Sequence, residues 1–136
     1  MQRTLVNPPG SEGAYRALHF SQAVRVGDTL WISGQAGSGP KGIADGCEAQ
    51  ARLAFENLKK VLVEAGAELG DVVELTSFHT DMGDFKTFMT VKDEFFPENY
   101  PAWTAVGIQQ LAHPKMLLEI RAVAVVGSAQ VETDHP

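Results

Sequence analysis

Residues 116–126 read Met-Leu-Leu-Glu-Ile-Arg-Ala-Val-Ala-Val-Val, and this stretch decides the fold class. Its β-branched and small apolar side chains predict a strand near the end of the chain. Ala122 and Ala124 point to one face of this strand, and Val123 and Val125 point to the other. A strand that is apolar on both faces is normally buried on both faces. The stretch therefore predicts a covered sheet and favours oligomerisation.

Five more strands are predicted from short runs rich in β-branched and aromatic residues between turn signals. They cover residues 3–6, 21–26, 30–33, 72–80 and 102–109. Gly27 and Asp28 form the turn of a hairpin between the second and third of these runs. Residues 34–46 carry five glycines and a proline, which predicts a loop.

Two amphipathic helices complete the pattern. The first begins after Asp45, which is expected to cap it with Glu48 in a capping box, and it ends at Gly66. Its apolar residues recur at the spacing of one helix face: Ala51, Ala54, Phe55, Leu58, Val61, Leu62 and Ala65. The second helix begins near Asp84 and ends at Pro97. Its expected inner face consists of Phe85, Phe88, Met89, Lys92, Phe95 and Phe96.

Length and composition predict a single domain over residues 1–136. The net charge of −6 and the pI of about 5.1 argue against a nucleic-acid partner, because such binders rely on lysine and arginine. No apolar run approaches the roughly 20 residues of a membrane helix, and no signal-peptide pattern is present. With Cys47 as the one cysteine, these features predict a cytoplasmic protein without internal disulfides or membrane contacts.

Glu119 is the most conspicuous polar residue, because it lies within the apolar strand at 116–126. A buried carboxylate is costly unless it is paired or used. It either pairs with Arg121, two residues further on the same face, or acts as a general acid/base or water holder in a cleft. Trp103 also has two interpretations, core packing as the default and a platform for a planar ligand as the alternative.

Three other motifs favour structural roles. The glycine-rich run at 37–42 lacks the ending of a phosphate-binding loop. His79 and Asp81 would supply only two metal ligands, so a structural histidine is favoured and no metal is expected. Cys47, near a helix start where thiol pKa values can be lowered, is expected to be a small apolar filler.

In chain order, these residues resemble the RidA/YjgF family, which includes proteins called endoribonuclease L-PSP. The resemblance spans about residues 18–126. It is carried by residues 20–24 (Phe-Ser-Gln-Ala-Val), 32–35 (Ile-Ser-Gly-Gln), Gln50, Asn57 and Leu58 with 64–67, 71–76, 81–85, 95–102, and 118–124.

The resemblance implies an α+β fold of the chorismate-mutase-like type, with about six strands in a mixed sheet and two helices on one face. It implies a homotrimer whose sheets form a central barrel, with helices outside and a small-molecule cleft at each subunit interface. It implies no cofactor.

Family members of known chemistry hydrolyse reactive enamines and imines, such as 2-aminoacrylate, to ketoacids and ammonia. In them an arginine after a Pro-Ala pair binds the substrate carboxylate, because its planar guanidinium meets a carboxylate bidentately. Trp103 occupies that position here, Met89 replaces a helix asparagine, and Phe20 replaces a cleft tyrosine.

The resemblance assigns the catalytic role to Glu119, as the holder of the attacking water. It implies that Ser33 and the Gly34 amide hold a substrate oxygen. It assigns further substrate contacts to the three replaced positions and to Ala105, which lies two residues after Trp103.

The stretch 89–92, with Tyr100-Pro101 and residues 103–107, is most similar to the YjgH-like branch, which shares the tryptophan and lacks the arginine. The leading interpretation is a hydrolase of a small planar C=N compound, less acidic than 2-aminoacrylate. The alternative is a non-catalytic trimer that binds or senses a metabolite. An endoribonuclease or translation inhibitor is the least favoured. Arg16, Arg25 and Arg121 are all candidates for a substitute charge.

Overall fold

A computed structural model describes residues 1–131 of the chain. Its strands are β1 (Arg3–Val6), β2 (Ala23–Val26), β3 (Thr29–Ala36), β4 (Ser38–Gly39), β5 (Gly42–Ile43), β6 (Val72–His79), β7 (Ala102–Gly107) and β8 (Leu118–Val125). Six of them form one sheet in the order β1-β2-β3-β8-β6-β7, and β4 and β5 form a small separate hairpin. Only the β6–β7 pair of the large sheet is parallel. The predicted α+β class with a mixed six-stranded sheet is confirmed.

Three helices accompany the sheet: α1 (Glu12–Leu18), α2 (Cys47–Glu64) and α3 (Phe85–Phe95). Helices α2 and α3 pack against each other, and α2 also lies on β3 and β8. These are the two helices that the apolar periodicity predicts. Helix α1 was not predicted, because it is seven residues long, buries no side chain and so has no apolar stripe to detect.

The expected apolar stripe of α2 is buried in full, from Ala51 to Ala65. The expected cap is wrong. Gly46, with a φ of 88°, is the N-cap, and no side chain caps the helix. That positive φ is one that glycine adopts without strain, so the turn into α2 is made by backbone conformation rather than by the Asp45 carboxylate.

The inner face of α3 differs from the expected set at two positions, since Val91 is buried in place of Met89. Phe88, Val91 and Lys92 are buried, whereas Met89 is 36% exposed. Lys92 is only 5% exposed although it carries an ammonium group.

The second face of the sheet, opposite α2 and α3, carries large apolar side chains. Leu5 of β1 and Trp31 of β3 both pair in register with Val24 of β2, and each is 46% exposed. Val123 and Val125 of β8 are half-buried on the same face. The single chain therefore leaves an apolar sheet surface uncovered.

Within residues 1–131, no helix is both long and apolar enough to cross a membrane.

Gly37 lies where the loop predicted at 34–46 crosses α2. A Cβ atom there would collide with Cα of Gln50 and lie 2.5 Å from the Gln50 carbonyl oxygen. Gln50 Nε2 in turn donates to the carbonyl oxygens of Ala44 and Lys115, and Gln50 Oε1 accepts from the Leu117 amide. The glycines of this run therefore allow close packing.

We predict that Gly37→Ala lowers the free energy of unfolding by about 1–3 kcal/mol, because backbone atoms of α2 cannot yield to the added methyl group. Gly39→Ala is the matched control, since its Cβ would meet only Leu53 methyl groups at 3.7 and 3.8 Å. Urea unfolding of both variants measures the difference. Equal stability of the two variants would contradict the close approach at Gly37.

Candidate functional site

Glu119 projects from β8 onto the face of the sheet that lacks helices. Its neighbours Leu118 and Ile120 are 1% and 0% exposed on the helix side, and alternation places Glu119 opposite to them. The facing strand β3 is irregular between Ile32 and Gln35. Gly34 lies in this irregularity, and a Cβ there would collide with the Glu119 carboxylate. The glycine therefore makes room for the carboxylate.

The Glu119 carboxylate has no partner charge in the part of the chain that the structure describes. The ion pair with Arg121 that the sequence left open is not formed, and Arg121 is exposed. Burial raises the pKa of Glu119 above its ordinary value of 4.5, because a half-desolvated carboxylate resists ionisation. An unpaired carboxyl group with a raised pKa is suited to proton transfer.

Ser33 directly precedes Gly34, and its hydroxyl and amide both bond to the segment that precedes β2. Its hydroxyl donates to the Ser21 carbonyl oxygen at 2.7 Å, and its amide donates to the Gln22 carbonyl oxygen at 2.9 Å. Phe20, half-buried, immediately precedes Ser21. The Ser33 hydroxyl proton is thus used in the hydrogen bond to Ser21, so the hydroxyl oxygen can only accept a further hydrogen bond.

Trp103 lies on the helix side of the edge strand β7. Its Nε1 donates to Ser77 Oγ at 2.9 Å, and its ring stacks on Phe85 of α3 with centroids 5.2 Å apart and planes 5° apart. Ala105 follows on the same face, in register with Ser77. The half-buried indole is therefore held in one orientation against the margin of the core.

The hydrogen bond from Trp103 continues to His79. Because an indole N–H only donates, Ser77 Oγ accepts it, and the same oxygen shares a hydrogen bond with His79 Nε2, 2.8 Å away, whose direction depends on the histidine tautomer. His79 Nδ1 is buried and has no hydrogen-bond partner among residues 1–131. Burial lowers the pKa of His79, although Asp84 acts in the opposite sense. His79 is thus a neutral structural residue.

The pair His79 and Asp81 is not arranged as metal ligands. His79 Nε2 contacts Ser77, and the Asp81 carboxylate accepts from the Gly83 amide at 2.8 Å. Over residues 1–131, no three potential ligand side chains lie together.

Lys92 is a site residue that the sequence reasoning missed. Its Nζ lies 4.5 Å from the centroid of the Trp103 ring and 3.4 Å from Asp93 Oδ1. A cation at this distance from an indole is attracted by the ring, most strongly where water is excluded. The signal in the sequence is a lysine within the apolar stripe of α3, where the helical spacing places it on the inner face.

Cys47 is not an activated thiol. Burial, with the nearby Asp84 and Glu48 charges, raises the pKa of Cys47 to about 11. These effects outweigh the lowering of a thiol pKa that a helix N-terminus can produce, so the Cys47 thiol is protonated at neutral pH.

The expected site residues thus form two groups in one chain. Glu119, Gly34 and Ser33 lie on and beside the face without helices, near Phe20. Trp103 and Ala105 lie on the helix side of β7, two strands from β8. Met89 projects from the exposed side of α3. The two groups therefore lie on opposite faces of the sheet within one chain.

Comparison with known proteins shows which family the chain resembles. A family model described as endoribonuclease L-PSP matches residues 13–126. YjgH of Escherichia coli strain K12, named a RutC family protein, is 44% identical over 115 residues, which cover 82% of this chain and 88% of YjgH. A human protein named 2-iminobutanoate/2-iminopropanoate deaminase is 36% identical over 123 residues, which cover 88% of this chain and 85% of that protein.

Solved structures match at similar levels. A structure of YjgH has a TM-score of 0.82 at 42% identity, covering 93% of this chain and 98% of that chain. A structure of E. coli TdcF with bound serine has a TM-score of 0.74 at 36% identity, covering 78% of this chain and 87% of that chain.

We predict that Glu119→Gln raises the free energy of unfolding at pH 7. The raised pKa means that the ionised carboxylate destabilises the native state at pH values above that pKa. This cost disappears as the pH falls below 4.5, where Glu119 is protonated in both the folded and the unfolded chain. The stability difference between variant and wild type should therefore shrink on acidification.

Denaturant unfolding at pH 7 and pH 4, at one fixed protein concentration, measures this effect. Glu56→Gln, on the exposed face of α2, is the control and should change stability by less than about 0.5 kcal/mol. A Glu119→Gln variant less stable than wild type at pH 7 would show that a partner stabilises the ionised form.

Proposed function

The chain belongs to the RidA/YjgF superfamily and to its YjgH-like branch, and on this premise we propose that it hydrolyses a small imine or enamine in clefts between copies of itself. Relatives named as deaminases support this reaction class. The observation that carries the proposal is the unpaired Glu119 carboxyl group, half-buried against Gly34 with a raised pKa.

Glu119 acts on water in the proposed reaction. An enamine first becomes its imine, gaining a proton at carbon and losing one from nitrogen. The carboxylate then accepts a hydrogen bond from a water molecule and takes its proton as the oxygen attacks the C=N carbon. That proton passes to the nitrogen, and the resulting carbinolamine loses ammonia to leave a carbonyl compound. A carboxyl group with a raised pKa is better matched to both proton transfers near neutral pH than an ordinary glutamate.

The cleft is completed by other subunits of a homotrimer. The uncovered sheet face carries Leu5, Trp31, Val123 and Val125, and an apolar surface of this kind is normally covered. Three sheets packed face to face into a barrel would bury it. The same packing would bring the Glu119 group of one subunit toward the β7 edge of another, which joins the two groups that one chain separates.

Substrate recognition differs from that of members with an arginine at position 103. Trp103 offers an indole edge, and the cation that lies over its ring, Lys92, is buried and partly neutralised by Asp93. Neither group provides the two parallel donors that a guanidinium presents to a carboxylate. The expected substrate is a planar C=N compound whose binding does not depend on a bidentate carboxylate contact.

A metabolite-binding trimer without turnover is the second candidate function. The committed Ser33 proton favours it, because this hydroxyl cannot donate to a developing negative charge. The endoribonuclease named in the family model is the least favoured function, since the net charge of −6 opposes binding to a polyanion.

We predict that the wild type releases ketoacid from freshly generated 2-aminoacrylate or 2-iminopropanoate slowly but above the uncatalysed rate. Glu119→Gln should lower this activity by about 100-fold, because proton transfer by a positioned side chain contributes at least that much. The same variant is expected to be more stable at pH 7, so its loss of activity cannot be ascribed to unfolding. Equal rates for the variant and the wild type would refute the role of Glu119.

An arginine variant separates substrate identity from catalytic competence. Trp103→Arg alone would place a guanidinium beside the Lys92 ammonium, so we combine it with Lys92→Met to remove the repulsion. Activity gained only in this double variant would show a competent scaffold whose natural ligand lacks the carboxylate. Inactivity of both the wild type and a folded, trimeric double variant would favour the metabolite-binding function.

A further inference from the structure

A second concave site lies on the helix side of the sheet. A cavity of about 240 Å³ opens between residues 8–11, the end of β3 and α2. Its polar lining side chains are Ser11, Gln22, Gln35, Asn57 and Lys60, and the Ser11 hydroxyl already donates to the Pro8 carbonyl oxygen at 2.6 Å. Gln35 pairs in register with Ile120, which is 0% exposed on the helix side, so the cavity and Glu119 lie on opposite faces. None of the expected cleft residues lines the cavity, so it is separate from the proposed cleft.

Gln35 is 6% exposed, and its amide has one possible orientation. Its Nε2 donates to the Ser33 carbonyl oxygen at 3.1 Å and to Gln22 Oε1 at 2.9 Å. A backbone carbonyl only accepts, so the nitrogen must be the inner atom. Oε1 has no hydrogen-bond partner in residues 1–131 and is not among the sealed polar atoms. The unsatisfied oxygen of a side chain that is more than nine-tenths buried thus faces accessible space.

Asn57 is oriented by the same logic. Its Nδ2 donates to the carbonyl oxygens of Ala36 at 3.0 Å and Ser38 at 2.9 Å, so both of its protons are used. Its Oδ1 accepts no hydrogen bond from the described residues and is the second free acceptor. Two hydrogen bonds from one amide nitrogen to backbone carbonyls fix the orientation of this oxygen.

Gln22 supplies the complementary donor. Its Oε1 is occupied by Gln35, which leaves its Nε2 as an N–H₂ group without a partner in the described chain. The backbone of Gln22 is itself anchored, because its amide donates to Asn7 Oδ1 at 3.0 Å. The exposed Lys60 adds a positive charge at the rim. The cavity therefore presents two oriented acceptors and one oriented donor.

We propose that this cavity is a binding site for a small, planar, uncharged compound with a urea- or amide-type edge. Two N–H groups of such a ligand would meet Gln35 Oε1 and Asn57 Oδ1, and its carbonyl oxygen would accept from Gln22 Nε2. Pro8, Pro9 and Val61 provide flat apolar walls for the ring. The volume equals that of about eight water molecules, enough for one five- or six-membered ring with substituents.

The test uses three probes of the same ring size: 2-imidazolidinone with two N–H groups, 2-pyrrolidinone with one, and cyclopentanone with none. Each is titrated into the full chain while the side-chain N–H₂ signals of Gln22, Gln35 and Asn57 are followed by two-dimensional NMR. Affinity should fall in that order, by about tenfold from the first probe to the last, since two hydrogen bonds to buried acceptors are lost.

Gln22→Glu isolates the donor. The new carboxylate still accepts from Gln35, but it replaces the free N–H₂ group with an acceptor and should weaken 2-imidazolidinone binding by at least about fivefold. Gln110→Glu, at an exposed glutamine, is the matched control for the change of charge and should leave the affinity unchanged.

Two results would overturn the proposal. Equal affinity for cyclopentanone and 2-imidazolidinone would show that the cavity selects by apolar volume and not by its amide groups. Absence of any shift in the three side-chain signals at saturating 2-imidazolidinone would show that the cavity holds only water. Since Glu119 lies on the other face, Glu119→Gln should leave the probe titration unchanged, which separates this test from that of the proposed hydrolase.

Discussion

The burial of strand β8 is the constraint on which the rest of the structure depends. It pairs with β3 on one side and β6 on the other, so no part of it forms an edge. Its inner residues, Leu118, Ile120, Ala122 and Ala124, are at most 2% exposed beneath the helices. Full burial of a side chain of this kind contributes about 1.5–3 kcal/mol for the larger residues. Because packing beneath the helices fixes β8 from one face, it also fixes the position of Glu119 on the opposite face.

The same strand links stability to function. Glu119 has a raised pKa because the sheet around it is apolar and supplies no cation within the described chain. A more stable sequence would place an apolar or amide side chain there. The room made by Gly34 shows that the backbone of β3 accommodates the carboxylate. The cost of this residue is therefore consistent with a chemical role, whereas the apolar residues beside it are consistent with a covering subunit.

The sequence was sufficient for the sheet, for α2 and α3, and for the two-faced apolar character of β8. These features depend on periodicity within single elements, which local sequence records directly. Helix α1 and the β4–β5 hairpin were missed because they are short and bury little. The predicted cap of α2 was wrong because Gly46 turns the chain by its positive φ, which the capping-box pattern does not encode.

Contacts between elements could not be predicted from local sequence either, since the cluster of Ser77, His79, Lys92 and Trp103 joins residues up to 26 positions apart. The amide cavity depends on hydrogen-bond directions that only coordinates provide.

In the proposed trimer, further copies of the same chain cover the apolar face around Glu119. Sedimentation equilibrium of the wild-type protein at micromolar concentration tests this arrangement. We expect a single species with three times the chain mass of 14.7 kDa. A species at 14.7 kDa that persists as the protein concentration is raised would leave the Glu119 and Trp103 groups on opposite faces of one sheet and would contradict the account.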